Sequence, residues 1–574
     1  MTARVATLGV VLASALLVSC PMAERSTIGA IRAGSPSPAP GQAIVPPAAP
    51  NGARRPRDEH PVFVLQPTVR QLGASERGSW PAPTPEELAD LGAALPDSAP
   101  ATSSSAAPAP GAAGGADQLL DQDPRRGMLH AVGPAGGLDP DRVLAATAKE
   151  TFVYSRPDWK SRRLGYLRAG AVVARGAEPV GHSGCSQGWY SVAPEGYVCV
   201  GKMATLDVDD RVVQAERTRA DRHAALPYRY GESRFPTPPL YTRVPTKKQQ
   251  LATEPDLARH LDLRARAWKD APFGPVPAVL ADGRPAPTFS GYGRDASRVS
   301  TGNALVKSGF AFLDFFEANG RRWGLTTDLD VMPLDKLRPV ESSSFHGLAL
   351  DRTTTLPVVF VRSRGAWLYD GDPHHGLKQA RQIGYREALP ISGKSARIGG
   401  ARFLETTSGQ WLRDDHLVRV GPMKHRPGWA SPGRTWIDVS ILKQALIAYE
   451  GTTPVYVTLV STGADGLGDP EETHSTVRGV FLIHTKHISV TMSGDEADDE
   501  FDLRDVPYVQ YFKDGYALHA AYWHDAFGIP RSHGCVNLAP IDARWLFDWT
   551  DPPVPRGWHG AMSLRDGTLV NIHP

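Results

Sequence analysis

The sequence predicts a mainly β, multidomain chain, and three observations carry that expectation. Its 574 residues exceed what one core organises, at ~100–200 residues per domain. Glycine (56) and proline (51) are in excess, yet 19 of the prolines fall between Ser35 and Asp141, so the excess belongs to one linker segment beside globular ones. From Arg434 onward short apolar runs alternate and are separated by turn residues, the pattern of strands rather than helices. Apolar residues at 41% and aromatics at 8% exclude a wholly disordered chain, and 63 basic against 61 acidic residues leave no basic field for nucleic acid.

Arg4 precedes an apolar run from Val5 to Val18, too short for a spanning helix of about 20 residues, so residues 1–20 read as an export signal. The run ends Leu17-Val18-Ser19-Cys20, which resembles the lipobox of bacterial lipoproteins. That resemblance implies cleavage before Cys20, acylation of its thiol and a membrane-anchored lipoprotein in the cell envelope, facing the periplasm. A plain secretory signal with a chance cysteine is the alternative. Residues 21–143 are Pro/Ala/Gly/Ser-rich and poor in aromatics; they cannot bury enough apolar surface to offset ordering entropy and read as a disordered tether. Thr84-Pro85-Glu86-Glu87 supplies the N-cap, N1 proline and N3 glutamate of one short helix within it.

Residues 144–207 carry short apolar runs such as Ala171-Val172-Val173-Ala174, each bounded by Gly or Pro, which predicts a small barrel. Val153-Tyr154-Ser155-Arg156-Pro157, Gly165-Tyr166-Leu167-Arg168-Ala169-Gly170 and Gly188-Trp189-Tyr190 resemble a bacterial SH3-like domain, implying glycan or peptide binding. Residues 208–296 read as a mixed connecting region, with helical apolar spacing from Asp256 to Asp270 behind Thr253 and loops at Pro236-Thr237-Pro238-Pro239 and Pro275-Val276-Pro277. Val331–Val340 and Trp411–Val420 share Asp, Leu and Val at equal offsets, a weak repeat that predicts further small SH3-like β modules over 297–421. A last β domain spans 434–574. Its strands are expected at Thr435–Val439, Gln444–Tyr449 and Pro454–Val460, with a helix at Pro540–Trp549.

The four cysteines are Cys20, Cys185, Cys199 and Cys535. An exported chain sits where disulfides persist, and two alternating strands around Pro194-Glu195-Gly196 form a hairpin that brings Cys185 and Cys199 together. With that pair bridged and Cys20 lipidated, Cys535 is left as a free thiol, a candidate nucleophile. It lies in Ser532-His533-Gly534-Cys535-Val536-Asn537-Leu538, preceded by Tyr516-Ala517-Leu518-His519. A cysteine after a glycine places its thiol and backbone amides in a tight turn where they can hold an oxyanion. Either histidine can generate the thiolate, and the residues alone do not choose between them. A lone His or Cys usually packs a core, but here four polar or flexible neighbours surround the thiol. Tyr508, Tyr511 and the acidic run from Asp495 to Glu500 read equally as a lid or as a solvated loop.

At these residues the chain resembles the L,D-transpeptidase catalytic domain of the YkuD type. The signature is His519 followed by Ser532-His533-Gly534-Cys535-Val536-Asn537. Trp436-Ile437-Asp438-Val439 with Gln444, Ser461-Thr462-Gly463, Gly479-Val480-Phe481-Leu482-Ile483 and Lys486-His487 support it. The interval from His519 to Ser532 stands at the short end for the family. The resemblance implies a peptidoglycan crosslinker acting on donor and acceptor stem peptides through a Cys535 thioester, with no cofactor and no metal. It makes His519 the general base, oriented by the Ala520 carbonyl, and His533 a second histidine lining the site. Gly534 and Cys535 amides would form the oxyanion hole, supported by Ser532, with Asn537 anchoring the turn. An L,D-carboxypeptidase, a protein-anchoring transpeptidase of the same fold and a non-catalytic wall-binding lipoprotein are the alternatives. A papain-like order is disfavoured, because only His559 and His573 follow Cys535. A zinc hydrolase using His519, His524 and His533 lacks a carboxylate partner and leaves the cysteine unexplained.

Overall fold

The computed structural model describes residues 139–258, 268–494 and 501–574. The expected signal, Cys20, the short helix at Thr84, nearly all of the tether and the acidic run 495–500 lie outside the described residues.

Two small sheets build the module at 139–205. Asp139–Ala146 lies between Val172–Arg175 and Ala204–Thr205, while Arg163–Leu167, Thr151–Tyr154, Tyr197–Cys199 and Trp189–Ser191 follow one another in the second. Leu144, Val153, Leu167, Val173, Val198 and Val200 fill the space between them. A disulfide joins Cys185 to Cys199, which ends one strand of the expected hairpin, and the ring of Trp189 packs over Tyr154 and Trp159 beside it.

The segment read as a mixed connection contributes strands. Arg229–Ser233 pairs with Gly309–Ala318 and with Leu337–Pro339, and Pro239–Tyr241 pairs with Ser300–Asn303 and Val331–Pro333, so strands from both sides of residue 297 share one sheet. Phe310, Phe312, Phe315 and Trp268 pack on one face of that sheet, Phe316 and Trp323 on the other. A separate helix at Lys247–Thr253 precedes the expected one: Thr246 accepts from the Gln249 amide while the Gln249 side chain returns to Thr246, a capping box that starts it. Most of the expected 256–270 helix lies outside the described residues.

Val331–Val340 and Trp411–Val420 both run strand, turn, strand, but they belong to different sheets. The second sits in a seven-stranded sheet over Val358–Val420 with its own core of Val359, Val361, Leu368, Ile391, Leu404 and Leu412.

The last domain is two packed sheets. Leu348–Ala349, Thr453–Leu459, Ala445–Glu450, Thr435–Ser440, Leu569–His573 and Gly479–Leu482 form one. Thr485–Gly494, Phe501–Lys513, Tyr516–Ala520 and Val536–Leu538 form the core of the other, flanked by the helix Pro540–Trp549. This second sheet does not stop at the domain edge. Gly560–Met562 pairs with Arg163–Leu167 of the first module, and Leu503 pairs with Gly309 of the middle one. At the junction Asp505, at φ +50° and 1% exposed, accepts from Arg168, Thr327 and Ser489 while its carbonyl accepts from Tyr230. One buried carboxylate thus ties three parts of the chain together.

Candidate functional site

Two strands and a turn build the site. Tyr516–Ala520 runs antiparallel to Phe501–Lys513 and parallel to Val536–Leu538. In the parallel ladder His519 stands opposite Asn537 and Leu518 opposite Val536, so Cys535 lies at the mouth of the pairing. Strand alternation sets Ala517, His519, Cys535 and Asn537 toward one face. With strands about 4.8 Å apart and a rise of about 3.3 Å, the Cα atoms of His519 and Cys535 stand roughly 8 Å apart, a gap their side chains can close.

His519 is 2% exposed, and its Nδ1 lies 3.1 Å from the Ala520 carbonyl. A carbonyl only accepts, so Nδ1 carries the proton and Nε2 is left as the basic atom. Burial pulls the imidazole down to about 4, with the carbonyl contact opposing it. Trp523 lies beside the ring, 5.7 Å between centroids.

The turn explains its own sequence. Gly534 has φ +122°, and a Cβ there would stand 2.7 Å from Tyr516 Cε1, so both the backbone conformation and the space require glycine. The Ser532 hydroxyl accepts from the Gly534 amide (3.1 Å) and donates to the Cys535 carbonyl, closing the loop from inside. This corrects one expectation: the Gly534 N–H is committed to Ser532 rather than open to an oxyanion. The Cys535 amide has no protein acceptor among the described residues. The Cys535 thiol is half-buried and donates to the Gly515 carbonyl at 3.6 Å. Burial pushes it up to about 11, and the Ala517 amide facing the sulfur pulls the other way.

Behind the turn, Ser461 and Asn537 exchange backbone hydrogen bonds of 2.9 and 2.8 Å, and the Thr462 carbonyl accepts from Arg531 and Ser532. Gln444, at φ +52°, holds that segment: its side chain accepts from the Thr462 amide (2.9 Å) and donates to Thr462 Oγ1 and Ile441 O. His533 is exposed and packs edge-on against His474, 4.7 Å between centroids. His524 Nδ1 accepts from the Ala526 amide, so its proton sits on Nε2; Asn537 Nδ2 stands 3.0 Å from it, and turning that side-chain amide gives the Nε2–H the buried Oδ1 as acceptor. His519, His524 and His533 are therefore each engaged separately, and among the described residues no cluster of three His, Cys, Asp or Glu is placed to hold a metal ion.

Tyr508 is no lid residue. It is buried at φ +56°, its hydroxyl donating to Ala224 O and its ring against Phe547. Tyr511 is partly buried against His487, and the nearby Cys535 adds to burial in raising its pKa. Lys486 is buried too, capping the Pro540–Trp549 helix through Phe547 O (2.6 Å) and Thr550 O (2.7 Å). Sequence reasoning missed Gly515, Ala517 and Tyr516 as partners of the turn. Strand alternation from His519 picks out Ala517, but only the fold brings Gly515 O to the sulfur.

The domain is thus two packed β sheets, with His519 and the Cys535 turn together at one edge of the second. Residues 434–572 match the family model of the L,D-transpeptidase catalytic domain, YkuD. YciB of Bacillus subtilis (strain 168), a protein named as an L,D-transpeptidase, is 24% identical over 139 residues, 20% of this chain and 59% of that protein. Among solved structures, a cysteine-to-serine mutant of the Enterococcus faecium L,D-transpeptidase is 22% identical over 25% of this chain and 50% of its own, TM-score 0.19. The L,D-transpeptidase of Xylanimonas cellulosilytica (residues 123–326) is 26% identical over 26% of this chain and 65% of its own, TM-score 0.18. The chain thus spans between half and two thirds of the length of these relatives. Residues 434–572 carry an L,D-transpeptidase catalytic domain, and the rest of the chain lies outside that match.

Proposed function

We propose that this protein is a peptidoglycan L,D-transpeptidase of the cell envelope. The observation that carries the reading is the Nδ1–H of His519 on Ala520 O, which leaves Nε2 as the basic atom of a residue whose strand register puts it on the same face as Cys535. As a donor stem peptide binds, Cys535 Sγ attacks the carbonyl joining its third residue to the terminal D-Ala. The thiol proton passes to His519 Nε2 and then to the leaving amine, so D-Ala departs and a thioester remains. The amine on the third residue of an acceptor stem next attacks the thioester, loses its proton to His519, and releases Cys535 with a new amide formed. The Cys535 amide is the oxyanion donor available without rearrangement. Gly534 N–H joins it only if Ser532 lets go.

Cys20 acylation would hold the protein on a membrane, the segment 21–143 would give it reach, and SH3-like packing of the small β modules would supply contacts to the wall polymer. The test is incubation of the full chain with purified tetrapeptide muropeptides and mass analysis of the products. Crosslinked dimers that vanish in Cys535→Ala support the proposal. Tripeptide alone would make it a carboxypeptidase, and no product or covalent adduct would leave a non-catalytic wall binder.

A further inference from the structure

The geometry points to Arg386, on the seven-stranded module Val358–Val420, as a positioning residue for the Cys535–His519 pair, acting through the loop that joins them. This inference rests on the acyl-transfer reading above. Leaving His519, the chain runs out along 521–531 and returns at Ser532. Its ends are fixed by backbone bonds, Ala521 N to Leu538 O (3.0 Å) at one side and Arg531 N to Thr462 O (2.8 Å) at the other. Its middle is held within the catalytic domain by Gly528 N on Val460 O (2.8 Å) and Ser461 Oγ on Ala526 O (2.9 Å), and at Asp525 from outside it. Arg386 Nη2 donates to Asp525 Oδ2 (2.6 Å) and Nη1 to the Asp525 carbonyl (3.1 Å), while Ser343 Oγ donates to Oδ1 (2.6 Å).

The clamp is built rather than incidental. Arg386 is 7% exposed and sits at φ +63°, a conformation uncommon for arginine. Its guanidinium lies over Phe345 (4.7 Å), Tyr385 (5.0 Å) and Phe527 (5.8 Å), one ring each from the linker 340–347 that joins Leu337–Pro339 to Leu348–Ala349, the module and the loop itself. Phe345 stacks on Phe527 at 5.9 Å, and the linker is fixed further on where Asp542 accepts from the Gly347 amide at 2.8 Å. Gripping both carboxylate and carbonyl of one residue fixes a position, which a single exposed ion pair does not. The residue beside Asp525 is His524, which meets the Asn537 amide, and Asn537 stands opposite His519 two residues past the nucleophile. The path from Arg386 to the reacting pair runs by contact to Asp525, along the chain to His524, by contact to Asn537, and by strand register to His519.

The experiment uses the full chain and a carbapenem, whose strained carbonyl acylates the thiol. It reads the limiting acylation rate, the half-saturating concentration, the melting temperature and the alkylation rate of Cys535 by iodoacetamide. Arg386→Ala is expected to lower the limiting rate about 10-fold, below the ~10² that a 1 Å misplacement costs, with half-saturation and alkylation within twofold of wild type. Arg386→Lys should recover little, because an ammonium cannot make the two-point contact. Asp525→Asn should show the same loss, and the double variant no more than either single one, as expected of one shared contact. Arg381→Ala, which breaks an exposed pair with Glu387 on the same module, should leave the rate unchanged. Should Arg386→Ala fail to fold, Asp525→Asn, whose side chain is mostly exposed, carries the test. An unchanged limiting rate in a folded clamp variant, additive losses, or an equal loss in Arg381→Ala would overturn the positioning role while leaving acyl transfer intact. Absence of any Cys535 adduct in the wild type would instead overturn the acyl-transfer reading, and this inference with it.

Discussion

The resting site should hold a neutral thiol beside a neutral imidazole. Burial pushes Cys535 up to about 11 and pulls His519 down to about 4, so the two lie about seven pH units apart in the unfavourable direction. Moving the proton from sulfur to Nε2 without substrate would then cost roughly 10 kcal/mol at ~1.36 kcal/mol per unit, and at pH 7 about one molecule in 10⁴ carries thiolate. His519 can act only as a base during attack, when the developing oxyanion and leaving group repay the transfer. The assay is the rate of Cys535 alkylation by iodoacetamide between pH 6 and 10, compared with carbapenem acylation over the same range. Alkylation should climb close to tenfold per pH unit with no plateau below pH 9, and His519→Ala should barely alter it. Acylation by contrast should fall on the order of 10²–10⁴ in His519→Ala and recover as pH rises. A wild-type alkylation rate that is flat from pH 6 to 9 would mean a preformed thiolate–imidazolium pair and would refute this reasoning.

His533→Ala, which removes an exposed ring packed on His474, should lower acylation only several-fold and show no alkaline recovery in the same pH series. Gly534→Ala should cost about 1–3 kcal/mol in thermal unfolding and abolish most acylation, and removing the Tyr516 ring as well should relieve the clash but not the strain at φ +122°. Arg168→Ala should destabilise by about 3–5 kcal/mol, because it leaves Asp505 buried without its cation. Burial alone would raise the Asp505 carboxyl, but Arg168, Thr327 and Ser489 hold it below the ordinary carboxylate range. Its contribution is therefore present above about pH 4 and lost on further acidification, and Asp505→Asn should flatten that acid limb of the stability curve.

What could be read in the sequence was what the chain writes locally. The strands from Thr435 to Leu459 follow from alternation, the helix Pro540–Trp549 from its N1 proline, and the turn at Gly534 from a glycine beside a cysteine. The share of 208–296 in the middle sheet was missed because its strands there are short: Pro239–Tyr241 begins at a proline and finds its partners at Ser300 and Val331, beyond any local window. Asp505 was invisible for another reason. A charged residue within a strand pattern reads as solvent-facing, and only the fold delivers Arg168, Thr327 and Ser489 to it. The Gly534 amide was assigned to an oxyanion because the motif shows its position, whereas its capture by Ser532 depends on a hydroxyl rotamer.

The sheet that runs from Gly560–Met562 into Arg163–Leu167 and from Leu503 to Gly309 changes where this chain can be cut. A fragment beginning at residue 434 would not be a smaller version of the same body. It would present two bare strand borders with unpaired amides and carbonyls, open to a second copy of itself, and it would keep Asp505 while discarding both Arg168 and Thr327. Homology draws a border at 434, but the backbone ladder and one carboxylate carry the folded body back past it, through Gly309 and Thr327 to Arg163–Leu167 and Arg168. Proteases and expression trials will meet that ladder, not the border at 434.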